Sequence, residues 1–268
     1  MNRPLDQHIE TPGLNAVSVE QAAAWLGSSA AHFVWRNDEG GLTFVSDDGA
    51  HYLTWVPSAL SAGLLGATER AAWVRQFVPA PRFGPVRITG DGAWCVSDAL
   101  AGASAIGPWG QAHPREAARA IGAGLRQLHD AAPVGQCPFR WALAPRLARA
   151  RDRLQTSPAW RDAPDDYFAD WTDTEAREVL ALEPAPDLVV CHGDACSPNY
   201  LVDDYGNCTG IVDVGALGVA DRWADLAVAS WSINWNFSPG WEGELFDAYG
   251  IARDEPKLRF YRLMWQLS

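Results

Sequence analysis

The second half of the chain reads as helix except for one interruption, and that interruption fixes what the fold must accommodate. Residues 187–214, "DLVVCHGDACSPNYLVDDYGNCTGIVDV", hold two apolar runs around a polar loop. Asp187 to Val190 predicts a buried strand feeding that loop. Tyr200–Val202 and Thr209–Val214 predict the arms of a hairpin around the turn Asp203-Asp204-Tyr205-Gly206-Asn207. A strand, a loop and a hairpin in this order gather His192, Asp194, Asn199 and Asp213 at one edge.

Two chemistries compete for that edge. A metal knot would use Cys191, His192, Cys196 and Cys208, but the spacing C-H-x3-C-x11-C lacks the paired C-x2-C or H-x3-H that closes a tetrahedral zinc site. Cys191 reads better as a small apolar residue at a strand end. Phosphoryl transfer needs one carboxylate to take or orient the proton of an attacking hydroxyl. It also needs an amide oxygen and a second carboxylate to hold the magnesium ions that bridge nucleotide phosphates. Asp194-x4-Asn199 has the spacing of the protein-kinase catalytic loop, and Asp213-Val214-Gly215 supplies the downstream Asp-x-Gly.

The first hundred residues have a different character. "HFVWRN", "LTFVSD" and "HYLTWVP" are short runs rich in β-branched and aromatic residues, punctuated by turns at Asp38–Gly41 and Asp47–Gly49. "GATERAAWVRQF" predicts a helix, and Gly90-Asp91-Gly92 marks a further hairpin. A small antiparallel sheet with one helix accounts for this half. "ALAGASAIGPWG" (99–110), poor in charge and rich in glycine, reads as a hinge. Beyond it "HPREAARAIGAGLRQLHD" puts Ala117, Ile121, Leu125 and Leu128 on one helical face, and helices recur at "FRWALAPRLARARDRLQ", "TDTEAREVLALEP" and "ADRWADLAVASWSINW". The expected domains are therefore 1–100, a nucleotide-binding sheet-rich lobe, and 101–268, a helical lobe with the polar loop and a substrate site.

Composition narrows the partners. A net charge of −12 argues against non-specific nucleic-acid binding and favours a cationic small molecule. Of 21 basic residues only Lys257 is lysine, so any mechanism needing a lysine before residue 257 is excluded. Five cysteines without a repeating spacing indicate a reducing compartment. The opening "MNRPLDQHIETPGLN" has no apolar signal region, and no apolar run approaches ~18 residues. A cytoplasmic protein with no membrane partner is expected, as a monomer or weak dimer.

"VVCHGDACSPNYLVDDYGNCTGIVDVGALGVADRWADLA" resembles the signature of the aminoglycoside phosphotransferases: HGD, then N, then IVD, then DR-x-x-DLA. With Leu128-His129 and "QCPF" at Gln136–Phe139, the resemblance is nearest the streptomycin 3''-phosphotransferase type. It implies an α+β, two-lobed protein-kinase-like fold with a small antiparallel-sheet N-lobe and a larger, mainly helical C-lobe. It implies an ATP- and Mg2+-dependent O-phosphotransferase acting on an aminoglycoside hydroxyl, with a polycationic aminosugar as partner. Asp194 and His192 then form the catalytic pair, His192 bracing the loop, while Asn199 and Asp213 bind magnesium. Asp221 and Arg222 form a structural clamp, and Asp225 caps or anchors the following helix. In the N-lobe the resemblance places the nucleotide loop at "RNDEGG", with Asn37, Gly40 and Gly41 as contacts. It puts Thr54 where the family carries its phosphate-binding lysine and Ala67 where it carries the partner glutamate, with Glu69 nearby. Arg36, Arg70 or Arg75 would have to compensate. The alternatives are a kinase of another small hydroxylated substrate, or a kinase-like binding protein impaired by the absent lysine. For the acceptor, the acidic segment with Asp165 and Asp166, the helical pair Trp231 and Trp235, and Trp265 in the place of a C-terminal acid are the candidates.

Overall fold

The computed structural model describes residues 17–267. The N-terminal stretch read above as lacking a signal region lies outside the described residues. The described chain falls into two compact units that divide between Leu100 and Ala101.

The N-terminal unit is built on β1 (Ala31–Arg36), β2 (Leu42–Ser46), β3 (His51–Pro57), β4 (Arg87–Ile88) and β5 (Gly92–Asp98), in the order β1-β2-β3-β5-β4. Every neighbouring pair is antiparallel. Strand alternation sorts the side chains onto two faces. Leu53 and Trp55 join Leu42 and Phe44 against α1 (Val19–Leu26), where Trp25 stacks on Trp94 at 4.8 Å. Val56, Ala93 and Cys95 face Leu64 of α2 (Ser61–Val74) instead. The sequence reading expected a single helix here; α1 is the second. Its signals were local: Ser18 accepts a hydrogen bond from the Gln21 N–H as the N-cap, and Gly27 closes the C-terminus.

The C-terminal unit begins with β6 (Ala103–Ser104), α3 (Pro108–Ala112) and α4 (Pro114–Ala131), followed by α5 (Leu143–Thr156) and α6 (Asp173–Leu180). The chain continues through β7 (Leu188–Cys191), β8 (Tyr200–Val202), β9 (Cys208–Ile211), β10 (Gly218–Asp221), α7 (Arg222–Asn236), α8 (Glu242–Tyr249) and α9 (Glu255–Gln266). The expected face of α4 is its core face, with Ala117, Ile121, Leu125 and Leu128 fully buried. The expected β8–β9 hairpin is present, but two pairings went unread. β10 pairs antiparallel with β7, and β6 joins the edge of β8.

That second pairing corrects the hinge reading of Ala99–Gly110. Ala103 pairs with Val202, and the Thr209 hydroxyl donates to the Ala101 carbonyl at 2.6 Å, so the segment is tied into the C-terminal unit from residue 101. Gly102 has φ +97°, and a Cβ there would meet the Thr209 hydroxyl at 2.4 Å. Close approach, rather than flexibility, is what this glycine provides. Among the described residues no helix is long and apolar enough to cross a membrane.

Candidate active site

The polar loop follows β7, and α7 holds it. Asp221 caps α7 by accepting the Trp223 N–H at 3.2 Å, and its other carboxylate oxygen accepts from Lys257 Nζ and the Tyr261 hydroxyl, each at 3.1 Å. The one lysine of the chain is thus committed to a structural brace. Asp225, expected to cap or anchor that helix, does something else. It is 1% exposed and accepts the His192 N–H at 2.6 Å and the Gly193 N–H at 2.9 Å. His129 Nε2 of α4 lies 3.0 Å from the same carboxylate. Asp221 is the cap, and Asp225 is the clamp on the loop. Burial works against its ionisation, but the His129 hydrogen bond, the His129 and His192 rings and the Gly193 amide hold its carboxyl below the ordinary carboxylate range.

A further pair orients His129. Arg222 Nη1 donates to the Tyr249 oxygen at 2.9 Å, and that hydroxyl lies 2.7 Å from His129 Nδ1. With the arginine donating to the phenol oxygen, the phenol proton is directed at Nδ1, which leaves Nε2–H to donate to Asp225. Sequence reasoning missed His129 and Tyr249 as site residues. The Leu-His pair was a usable signal for the first; nothing local marked the second.

Within the loop, His192 is fully buried; its Nδ1 accepts the Asp194 N–H at 3.3 Å and its Nε2–H donates to the Val212 carbonyl at 2.9 Å. Both ring nitrogens face backbone, so His192 braces and does not reach a substrate. Gly193 has φ +87°, and a Cβ there would lie 2.2 Å from the Ala216 carbonyl oxygen. Gly193→Ala is therefore expected to cost about 2 kcal/mol or more, lowering Tm by several degrees and kcat by at least about tenfold. Thermal unfolding and steady-state rates check this; unchanged values would mean that the loop reshapes freely.

Asp194 is half-exposed. Asn199 Nδ2 donates to its carbonyl at 2.9 Å and to its carboxylate at 3.3 Å, which points the amide oxygen of Asn199 elsewhere. Asp213 sits at φ 57°, ψ 48°, a left-handed conformation uncommon for a side-chain-bearing residue and frequent at functional sites. Surrounding protein and then the charge of Asp194 raise its carboxyl above the ordinary range, with His192 opposing. The residue itself is exposed, so the like-charge neighbour is the cause to weigh most. Asp213 and the amide oxygen of Asn199 are hard oxygen donors, and the like charge of Asp194 on Asp213 is one that a divalent cation would relieve, which fits magnesium. Two of the three cysteines of the competing reading face carbonyls: Cys191 Sγ lies 3.3 Å from the Asp221 oxygen and Cys208 Sγ 3.6 Å from the Gly210 oxygen.

In the N-terminal unit, Thr54 lies mid-strand on β3 between Thr43 and Cys95, half-buried on the α2 side of the sheet. The expected nucleotide loop is a tight turn closed on itself. The Asn37 N–H donates to the Gly41 carbonyl at 3.0 Å, the Gly40 N–H to the Asn37 carbonyl at 3.1 Å, and the Gly41 N–H to Asn37 Oδ1 at 2.6 Å. Those three donors are committed inside the turn, which limits what Asn37, Gly40 and Gly41 can offer a phosphate. Of the candidate replacement cations, Arg70 turns back to the Gly66 carbonyl of its own helix, Arg75 ends α2, and Arg36 directly precedes the turn.

The acceptor candidates converge within the C-terminal unit. Trp231 is fully buried; its indole N–H donates to Asp165 at 2.9 Å, and its ring packs edge-on against Trp235 and Trp265. It supports the group and offers no surface of its own. Trp235 and Trp265 are half-buried and stacked at 5.9 Å and 28°. Asp166 is exposed beside Asp165, both at φ 55°.

Comparison with known proteins places the chain in a family. A model of the phosphotransferase enzyme family matches residues 30–261. An aminoglycoside 3'-phosphotransferase of Streptomyces fradiae is 35% identical over 219 residues, 78% of this chain and 81% of the relative. A streptomycin 3''-kinase of Streptomyces griseus is 34% identical over 269 residues, 93% of this chain and 95% of the relative. The solved aminoglycoside phosphotransferase APH(3'')-Id of Streptomyces rimosus superposes with a TM-score of 0.75 at 28% identity, covering 91% of this chain and 95% of its own. Its complex with ADP and streptomycin gives 0.70 at 29% identity, covering 86% and 93%. The two-lobed kinase-like α+β class expected from the sequence is the fold of these neighbours.

Proposed function

Because the chain belongs to the phosphotransferase enzyme family, we propose that it transfers the γ-phosphoryl group of ATP to a hydroxyl of an aminoglycoside, as a cytoplasmic monomer or weak dimer. The observation that carries the reading is the half-exposed Asp194 carboxylate, positioned by Asn199 and crowded by Asp213. The acceptor hydroxyl oxygen attacks the γ-phosphorus in line, the bond to the β–γ bridging oxygen breaks, and ADP leaves. Asp194 orients the hydroxyl and takes its proton. Asn199 and Asp213 would hold Mg2+, which when bound neutralises phosphate charge. His192, Gly193 and Asp225 keep Asp194 at its place on the loop.

The nucleotide lobe is the unusual part. With Thr54 and Ala67 at the lysine and glutamate positions, both halves of the expected ion pair are replaced together, and Arg36 at the end of β1 directly precedes the turn. A missing charged contact to phosphate costs about 10- to 100-fold in rate on the energies of such hydrogen bonds, so a slow enzyme is expected. The test is ATP-dependent phosphorylation of a panel containing streptomycin, other aminoglycosides and a macrolide, read by ADP release and product mass. Phosphorylation of at least one aminoglycoside is expected. Nucleotide binding with no phosphorylated product would instead make this a binding protein and end the proposal.

A further inference from the structure

Resting on the phosphotransfer reading, we infer that Ser232 and Cys196 are positioning residues for the transfer. From α7 they deliver a second hydrogen bond to the Asp194 carboxylate, beside that of Asn199, and so fix how it meets an acceptor hydroxyl.

The attachment of the loop is the first ground. Asp225 accepts the His192 and Gly193 amides and so holds the loop just before Asp194. Ser232 stands seven residues further along α7, about two turns on and on the same face. Its Oγ accepts the Ser197 N–H at 2.8 Å, just after Asp194. The catalytic carboxylate is thus carried between two grips on one helix. Ser232 is itself fully buried, and its end of α7 is tied down. Asn236 Nδ2 donates to the Ser232 carbonyl at 2.9 Å, and Gln111 Nε2 of α3 donates to the Asn236 carbonyl at 3.0 Å.

The direction of the protons is the second ground. Ser232 Oγ accepts from the Ser197 N–H and from Asn236 Nδ2 at 3.0 Å, and neither nitrogen can accept in return. With both lone pairs taken, the hydroxyl proton is left to donate, and its remaining partner is the Cys196 sulfur. That sulfur carries one proton of its own. Its other hydrogen-bond partner is the Asp194 carboxylate, which as an anion only accepts. The chain therefore runs one way: Asn236 N–H to Ser232, Ser232 O–H to Cys196, Cys196 S–H to Asp194. Burial of the sulfur and then the Asp194 charge push the thiol well above its ordinary range, with the Ser232 hydrogen bond opposing. Cys196 consequently keeps its proton and serves as a donor, not as a nucleophile.

The experiment combines steady-state kinetics, thermal unfolding and the infrared S–H stretch in wild type, Cys196→Ala, Cys196→Ser, Ser232→Ala and the double alanine variant. Cys196→Ala is expected to lower kcat by about tenfold with the KM for ATP and acceptor within about twofold, and Cys196→Ser to recover most of that loss. The double variant should lose little more kcat than the worse single one, because both residues act through one chain. The Cys196 band, taken as wild type minus Cys196→Ala, should lie at the lower frequency of a hydrogen-bonded thiol and move up in Asp194→Ala. That band needs no turnover, so an inactive wild type would count against the phosphotransfer reading while the chain itself is still read. A kcat unchanged in Cys196→Ala overturns the inference, as does a band indifferent to Asp194→Ala. Losses that simply multiply in the double variant would also overturn it.

Discussion

Asp194→Asn is expected to lower kcat by about 10³, leaving the KM for ATP within a fewfold of wild type, because a general base typically contributes 10² to 10⁴. Asparagine keeps the volume of the side chain and can still accept from Asn199 Nδ2, so the loop has no reason to move. What it loses is the ability to take a proton. The charge change has a second, separable consequence. Asp194 is one cause of the raised Asp213 carboxyl, so its neutralisation relieves a like-charge contact, and the Tm should hold or rise. Lower kcat with intact stability is the signature of a lost catalytic group; lower kcat with a lower Tm would indicate a collapsed loop. A rate undiminished in this variant sinks the assignment of Asp194.

What the sequence made legible was local. The core face of α4, the β8–β9 hairpin and the gathering of His192, Asp194, Asn199 and Asp213 all follow from spacing within some thirty residues. The elements that went unread are those defined by partners far along the chain. Gly218–Asp221 is four residues long and becomes a strand only because β7 lies beside it. Ala103–Ser104 looked like a hinge because small residues favour both flexibility and close packing, and only the contact with Thr209 and Val202 separates the two. The role of Asp225 was misread for the same reason. Its place in the first turn of α7 suits a cap, whereas its partners, 32 and 33 residues upstream in the loop and 96 upstream on α4, make it a clamp.

The N-terminal unit reverses this pattern. The absence of a lysine before residue 257 is read from the sequence without any alignment, and the fold adds that Lys257 is tied to Asp221 and the Ala185 carbonyl. The turn Asn37–Gly41 is equally committed to itself. If the chain transfers phosphoryl groups as proposed, both facts shift the burden of orienting a triphosphate toward the C-terminal loop, and the integrity of that loop becomes the condition for turnover.

Asp225→Ala is therefore the second large expected effect, and it acts on the fold first. Removing the carboxylate strands the His192 and Gly193 amides and the His129 ring in a site that water does not reach, at a cost of about 3–5 kcal/mol. A loss of that size lowers Tm by roughly ten degrees and frees the segment that carries Asp194, so kcat falls as well. Acid should reproduce part of the effect in wild type. The folded carboxyl is held below its ordinary value, so its stabilising contribution is complete above about pH 4 and is lost as pH falls through the lower folded value. In Asp225→Ala that component of the acid sensitivity should be absent. Urea unfolding of both proteins between pH 3 and pH 7 measures it directly, and identical pH dependence would show that Asp225 does not clamp the loop as an anion.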